Sequence, residues 1–325
     1  MPISPRLSTI LIGLLLCGNL ARANSLTEPP ADLLSGRGSV AVFYPNVSEP
    51  FRSIFSKIIE GIEERAKGRI KSYIIDSNKI DHTELNSQLK RHDTKVVIAL
   101  GRVGIKAATA LERDISVIVG GVVSTSDIDQ QTVSGISLNP DPAVLLQKLK
   151  LLQPDVRRVF VVYNPQSNEA VIKRAREVGK EQNIEIVAYE ARNIADAARA
   201  YSSVFSNADK THDALWLPSD TTTVEESTLL PLILKQSWDS SLPFFSSSLI
   251  HVKRGALFAL YPNNLELGRN LGNSALGVLA GDIRKKGIQP LRAVHIAVNL
   301  RTAGHLGLHI SAQQQRGFDA VFPEQ

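Results

Sequence analysis

A series of polar residues stands directly after short apolar runs, and these are the side chains whose types suit holding a small polar molecule. Tyr44, Asn46 and Ser48 come after one run, and Gly101 and Arg102 after another. Val122 to Thr125 come after a third. Further along stand Asn164, Ser167 and Asn168, then Ser219, Asp220 and Thr221, then Ser246, Ser247 and Ser248, with Tyr261 beyond them. Hydroxyls and amides can share hydrogen bonds with a polar ligand, a carboxylate can pair with an amine, and arginine can clamp an anion through two parallel N–H bonds. Tyrosine offers an apolar ring with a polar tip. Each residue also has a plainer role. Asp220 can cap the next helix, Ser167 and Asn168 can open a helix, Tyr44 can pack in a core, Arg102 can lie solvated on the surface, and the three serines can form a turn.

Catalytic patterns are absent from the same chain. There is no G-x-S-x-G nucleophile elbow, no G-x-x-x-x-G-K-[ST] phosphate loop and no H-E-x-x-H zinc pair. His305 and His309 are four apart, but Gly307 and Leu308 between them read as a helix stop. The acids from Asp76 to Asp81 lack calcium-loop spacing. No nucleophile, base and orienting group can be assembled, so the expectation is a protein that is not an enzyme, with no metal and no cofactor.

The elements that must position the polar residues alternate. Ser39 to Tyr44 reads as a buried strand, and Phe51 to Ala66 comes next with helical apolar spacing. Strands are expected at Ile70 to Ile75, Lys95 to Leu100 and Ser116 to Gly120, with helices at Thr83 to Arg91 and Val103 to Leu111 between them. After Leu138-Asn139-Pro140-Asp141-Pro142, read as a stiff extended crossover, the rhythm restarts. Helices are expected at Ala143 to Leu152, Asn168 to Gln182, Ile194 to Phe205 and Val224 to Gln236. Strands fall at Val156 to Tyr163, Ile184 to Tyr189, Ala214 to Leu217 and Leu242 to Phe245. One further strand (Ala256 to Leu260), a helix (Leu265 to Gly281), a strand (Ala293 to Val298) and a short helix near Ala303 close the chain. This is the pattern of an α/β protein with two doubly wound parallel sheets, and ligands of such sheets bind beyond the carboxyl ends of the strands.

Composition agrees with an ordinary globular protein: 325 residues, 43% hydrophobic, 21% charged and 6% aromatic. Its +5 charge comes from 37 basic and 32 acidic residues without a basic block, which excludes a nucleic-acid partner from the expectation. Residues 1–23 read as a signal peptide. Arg6 supplies the charge, Ile10 to Leu16 the apolar stretch and Ala21-Arg22-Ala23 the cleavage pattern. The expected location is therefore periplasmic, without a membrane span in the mature chain. Lipidation of Cys17 is the alternative, disfavoured because Leu16 stands where a small residue is wanted.

Several stretches in order resemble one family. They are Val159–Asn168 (VFVVYNPQSN), Ala214–Val224 (ALWLPSDTTTV), Arg254–Leu260 (RGALFAL), Leu267-Gly268-Arg269 and Val298–Ile310 (VNLRTAGHLGLHI). From Val133 to Ile310 the chain resembles the second half of ABC-transporter substrate-binding proteins, in the family that includes tryptophan/tyrosine-binding proteins and has the type I periplasmic-binding-protein fold. The resemblance implies two lobes with an interlobe cleft and three crossings, the first near 36–138 plus 262–292, the second near 139–261 plus 293–325. It implies capture of a small polar ligand, such as an amino acid, by hinge closure and delivery to an ABC permease, by a monomer. Hand-over to a membrane signalling receptor is the alternative. It also places Asp220 where the family holds a ligand amine. The ligand-binding residues expected are Tyr44, Asn46, Arg102, Asn164, Ser167, Asn168, Ser219, Asp220, Thr221, Ser246, Ser247 and Tyr261.

Overall fold

A computed structural model describes residues 38–124, 128–129, 131–282 and 286–323. The signal-peptide reading, Cys17 and Thr125 lie outside the described residues. The first run of the chain is β1 (Ser39–Pro45), α1 (Phe51–Ala66), β2 (Ile70–Ile75), α2 (His82–Arg91), β3 (Thr94–Leu100), α3 (Gly101–Ala108), β4 (Ser116–Gly120) and β5 (Ser134–Pro140). The second is α4 (Pro142–Leu152), β6 (Arg158–Tyr163), α5 (Pro165–Glu181), β7 (Glu185–Glu190), α6 (Ile194–Asn207), β8 (Asp213–Leu217), α7 (Leu229–Ser240), β9 (Phe244–Ser246), α8 (Leu249–Arg254) and β10 (Phe258–Pro262). The chain ends with α9 (Asn264–Leu279), β11 (Gly287–Leu291), β12 (Val294–Asn299), α10 (Leu300–His305), α11 (Ala312–Gln315) and β13 (Ala320–Phe322).

Two sheets result. One has the order β11-β5-β4-β3-β1-β2, the other β13-β12-β10-β9-β8-β6-β7. Alternation along each strand explains why both faces are covered. In β1, Val40 and Val42 pack in one core while Ala41 and Phe43 pack in the other, and β3 repeats this with Val96 and Ile98 against Val97 and Ala99. Helix-covered faces on both sides make each strand a near-continuous apolar run, and these side chains are almost wholly buried. The second sheet is layered in the same way, with Val159 and Val161 on one face and Phe160 and Val162 on the other.

The chain passes from the first sheet to the second at 140–142, returns at 262–264 and crosses again at 291–294. Backbone hydrogen bonds join these crossings. Asp141 N–H donates to Leu291 O at 2.7 Å, and Asn263 N–H donates to Ala293 O at 3.0 Å. Asp141 is buried, and its Oδ1 also accepts from Ala143 N–H, so one residue caps α4 and anchors a crossing. Helix α9 returns to the first lobe and lies against α1 at glycine contact. A Cβ on Gly268 would sit 2.0 Å from Ile58 O, and one on Gly61 would sit 2.1 Å from Leu265 O. No other residue fits that approach.

Four expectations need correction. The stretch before Pro142 is not an extended connector, because Ser134–Pro140 is the strand β5, paired with β4 and β11. Its Ser-Gly-Ile-Ser-Leu-Asn-Pro sequence lacks a β-branched run, and its pairing comes from tertiary neighbours. Second, the sheets are not wholly parallel, since β10 and β12 pair antiparallel. Third, α7 begins at Leu229 and not at Val224, because the Glu225 side chain takes the N–H groups of Ser227 and Thr228. Fourth, β11, β13, α8 and α11 were unforeseen; all four are six residues or fewer.

Candidate functional site

The carboxyl ends of the two sheets face a cleft of about 1270 Å³. From the first lobe it is lined by Pro45 and Val47 after β1, Phe51 and Phe55 of α1, Gly101 to Val103 after β3 and Gly121 to Ser124 after β4. Gly101 has φ +67°, which lets the chain turn from strand to helix within one residue and sets Arg102 at the rim. The second lobe contributes Asn164, Gln166 and Ser167 after β6, residues 218–222 and 224–226 after β8, and Ser247, Ser248 and His251 after β9.

The two walls differ in kind. The first is apolar except for Arg102 and Ser124, and Phe51 is 59% exposed there. The second presents hydroxyls, amides and carboxylates, organised around Asp220, which is 7% exposed. Asp220 Oδ2 accepts from Asn164 N–H at 2.7 Å and from Asn168 Nδ2 at 3.0 Å. Its Oδ1 accepts from Thr222 N–H at 2.9 Å and Thr223 N–H at 3.2 Å. One carboxylate thus ties the loop after β8 to the loop after β6. Tyr201 stands behind it, with its hydroxyl donating to Thr223 O at 2.9 Å, and burial pushes that phenol's pKa up.

Helix α5 opens at this knot. Asn164 caps it by accepting from Gln166 N–H at 3.0 Å, and Pro165 takes the first position. Ser167 N–H and Asn168 N–H both turn to Asn164 O. The helix end therefore offers its dipole to the cleft, while those first-turn N–H groups are engaged and the Ser167 hydroxyl, at the cleft wall, donates to Asn164 O at 3.3 Å and accepts from Asn168 Nδ2 at 3.0 Å. Downstream, Glu225 accepts from Ser227 N–H and Thr228 N–H at 2.8 and 2.6 Å, and also from the Ser227 hydroxyl. These hydrogen bonds hold its pKa at about 2.

His251 is the titratable group that the sequence did not single out. Its Nδ1 lies 2.6 Å from Ser246 Oγ, which accepts from Ser248 N–H at 3.1 Å. Desolvation pulls its pKa below the ordinary 6.5, with opposing attraction from Glu226. The neutral ring suits this setting, with the Ser246 hydroxyl donating to Nδ1.

Of the expected ligand residues, Arg102, Asn164, Ser167, Ser219, Asp220, Thr221 and Ser247 line the cleft. Tyr44 packs at the edge of a first-lobe core, and Asn46 is exposed with its N–H on Ile75 O. Asn168 and Ser246 lie behind the wall, holding Asp220 and His251. Tyr261 rests 5.4 Å from the His295 ring, away from these liners. Phe51 and Phe55 read from the sequence as the buried stripe of α1. Their place at the helix's first turns, next to the end of β1, was the signal that they reach the cleft.

Comparison with known proteins agrees with this architecture. The profile of the ABC transporter substrate binding protein family matches residues 46–314. A Streptococcus pneumonia ABC domain in complex with L-Trp is 17% identical, with 88% of this chain and 100% of that one covered and a TM-score of 0.55. A ligand-free, open substrate-binding protein with adhesive properties from Clostridium difficile is 18% identical, with 87% and 99% covered and a TM-score of 0.62. A conserved domain protein from Vibrio cholerae is 17% identical, covers 88% and 99%, and has a TM-score of 0.53. No curated protein sequence matches. The fold and its cleft are those of a type I periplasmic-binding-protein-like molecule. This chain belongs to the ABC transporter substrate-binding protein family. Among the described residues, no helix is long and apolar enough to cross a membrane.

Two outcomes test the polar wall. Asp220→Ala strands up to four donors, so unfolding in urea should show a loss of about 3 kcal/mol. A change within about 0.5 kcal/mol would mean that the knot is not structural. His251 has a folded pKa below its unfolded one, so the unfolded state binds its proton first. Its contribution to stability is complete above about pH 6.5 and fades as pH falls toward the folded value. His251→Gln should flatten that part of the stability–pH curve, and an unchanged slope would refute the assignment.

Proposed function

We propose that the protein is an exported binding protein which captures a small amphipathic metabolite, most simply an amino acid, and presents it to an ABC permease. The lobes of residues 36–138 plus 262–292 and 139–261 plus 293–325 would close over the ligand. The observation that carries this reading is the contrast between the cleft walls. A ligand with a polar head and an apolar body satisfies the hydroxyls and amides around Ser167, Ser219, Thr221 and Ser247 while covering Phe51 and Phe55. An L-Trp complex among the proteins of similar fold fits the same shape of molecule.

Asp220 has its carboxylate filled by protein donors, so its part is to hold the wall. Arg102 and the dipole of α5 supply positive potential for a ligand carboxylate. Glu226, on the second-lobe wall and paired with Arg254 at 3.3 Å, supplies negative charge for an amine. Only the closed form lets one molecule touch both lobes, so ligand binding shifts the population toward closure. Water is excluded as the walls meet, which strengthens each polar contact.

A thermal-shift screen of the protein against the amino acids tests the ligand class. A true ligand at about 100 times its dissociation constant should add about 2.7 kcal/mol. Phe51→Ala and Ser167→Ala should each weaken that ligand by about tenfold with the folded state retained, through lost apolar cover and a lost hydroxyl respectively. No shift with any amino acid, or full affinity in both variants, would refute the reading.

A further inference from the structure

A second concavity lies at the other end of the second sheet. Strand β9 runs from Phe244, in this groove, to Ser246 beneath the cleft wall, and α8 runs from its cap Ser248, in the cleft, to Arg254 in the groove. The groove measures about 520 Å³, the size that suits one small molecule. Leu234, Phe244, Leu306 and Phe322 give it an apolar floor. Trp238 stands at its side, 40% exposed, with the His305 ring stacked on it at 3.7 Å and the Arg301 guanidinium 5.6 Å from its centroid.

Its charge is one-sided. Lys235, Lys253, Arg254 and Arg301 line it against a single acid, Asp239. Asp239 is held by Lys235 at 2.6 Å, and Arg254 pairs with Glu226 at 3.3 Å. Arg301 is exposed and has no carboxylate partner among the described residues.

We propose that this groove is a second ligand site, specific for a small aromatic carboxylate. The ring packs against Trp238, Leu306 and Phe322, and the carboxylate pairs with Arg301. The size of the groove favours a small molecule, and the unbalanced positive lining favours an anion. The site is separate from the cleft and does not depend on what the cleft binds.

The probe is 2-naphthoate, titrated into the whole protein and read by tryptophan fluorescence. The chain has two tryptophans, and Trp216 is 2% exposed, so quenching reports on Trp238. Saturable quenching should weaken about tenfold in Arg301→Gln and about tenfold for the uncharged 2-naphthamide, because each removes the ionic hydrogen bond. Phe51→Ala, a cleft change, should leave it within about twofold, since the two sites share no liner. Absence of quenching at millimolar probe, equal binding in Arg301→Gln, equal binding of the amide, or loss in Phe51→Ala would each overturn the proposal. Arg301 is exposed, so circular dichroism should show that its variant folds. The failure of this titration would leave the amino-acid screen of the cleft untouched.

Discussion

The polar wall of the cleft depends on one buried carboxylate. Asp220 gathers two backbone N–H groups from its own loop, one from Asn164 and the side-chain amide of Asn168. Those contacts fix where β6 passes into α5 and where the chain leaves β8. Ser167, Ser219 and Thr221 hold their positions because the loops that carry them are tied together. Burying a charge is costly unless it is fully hydrogen-bonded, and here the protein itself supplies the bonds. In the proposed function the second lobe is a preorganised half-site, whose cost of ordering is met during folding, before any ligand arrives.

The opposite wall works by a different principle. Phe51 and Phe55 project from α1, whose lower turns are packed against α9 through the Gly61–Gly268 approach. The helix is held rigidly at its buried end, while its first turn offers apolar surface to the cleft. In the proposed closure, a ligand held by the second lobe would gain contact with that surface only when the lobes approach. The three crossings at 140–142, 262–264 and 291–294 are linked by backbone hydrogen bonds, and a hinge between the lobes would fall within these few residues.

Much of this was legible in the sequence, and what was hidden has physical reasons. Strand β1 and helix α1 announce themselves by an unbroken apolar run and by helical spacing, and β2 and β4 begin and end where their composition changes. The sequence reading opens α5 at Ser167 and Asn168, whereas Asn164 caps it with Pro165 in the first position, the one place in a helix that a proline suits. Strand β5 was not legible, since a serine- and proline-bearing stretch becomes a strand only through its neighbours. The same is true of α7, whose start is displaced by the side chain of Glu225. At the site, strand-end logic found seven cleft residues but placed Asn168 and Ser246 one layer too far forward. Whether a polar side chain faces a ligand or braces the residue that does is decided by rotamers and burial. His251 was hidden for a related reason: its partner, Ser246, lies five residues away across the turn into α8.

Small-angle scattering on the protein, with and without a saturating amount of the amino acid that stabilises it most, tests closure most directly. Two lobes shutting on a shared guest should reduce the radius of gyration on ligand addition, and the reduction should disappear in Phe51→Ala at the same total ligand concentration. A radius of gyration unchanged by a ligand known to be fully bound would contradict the account.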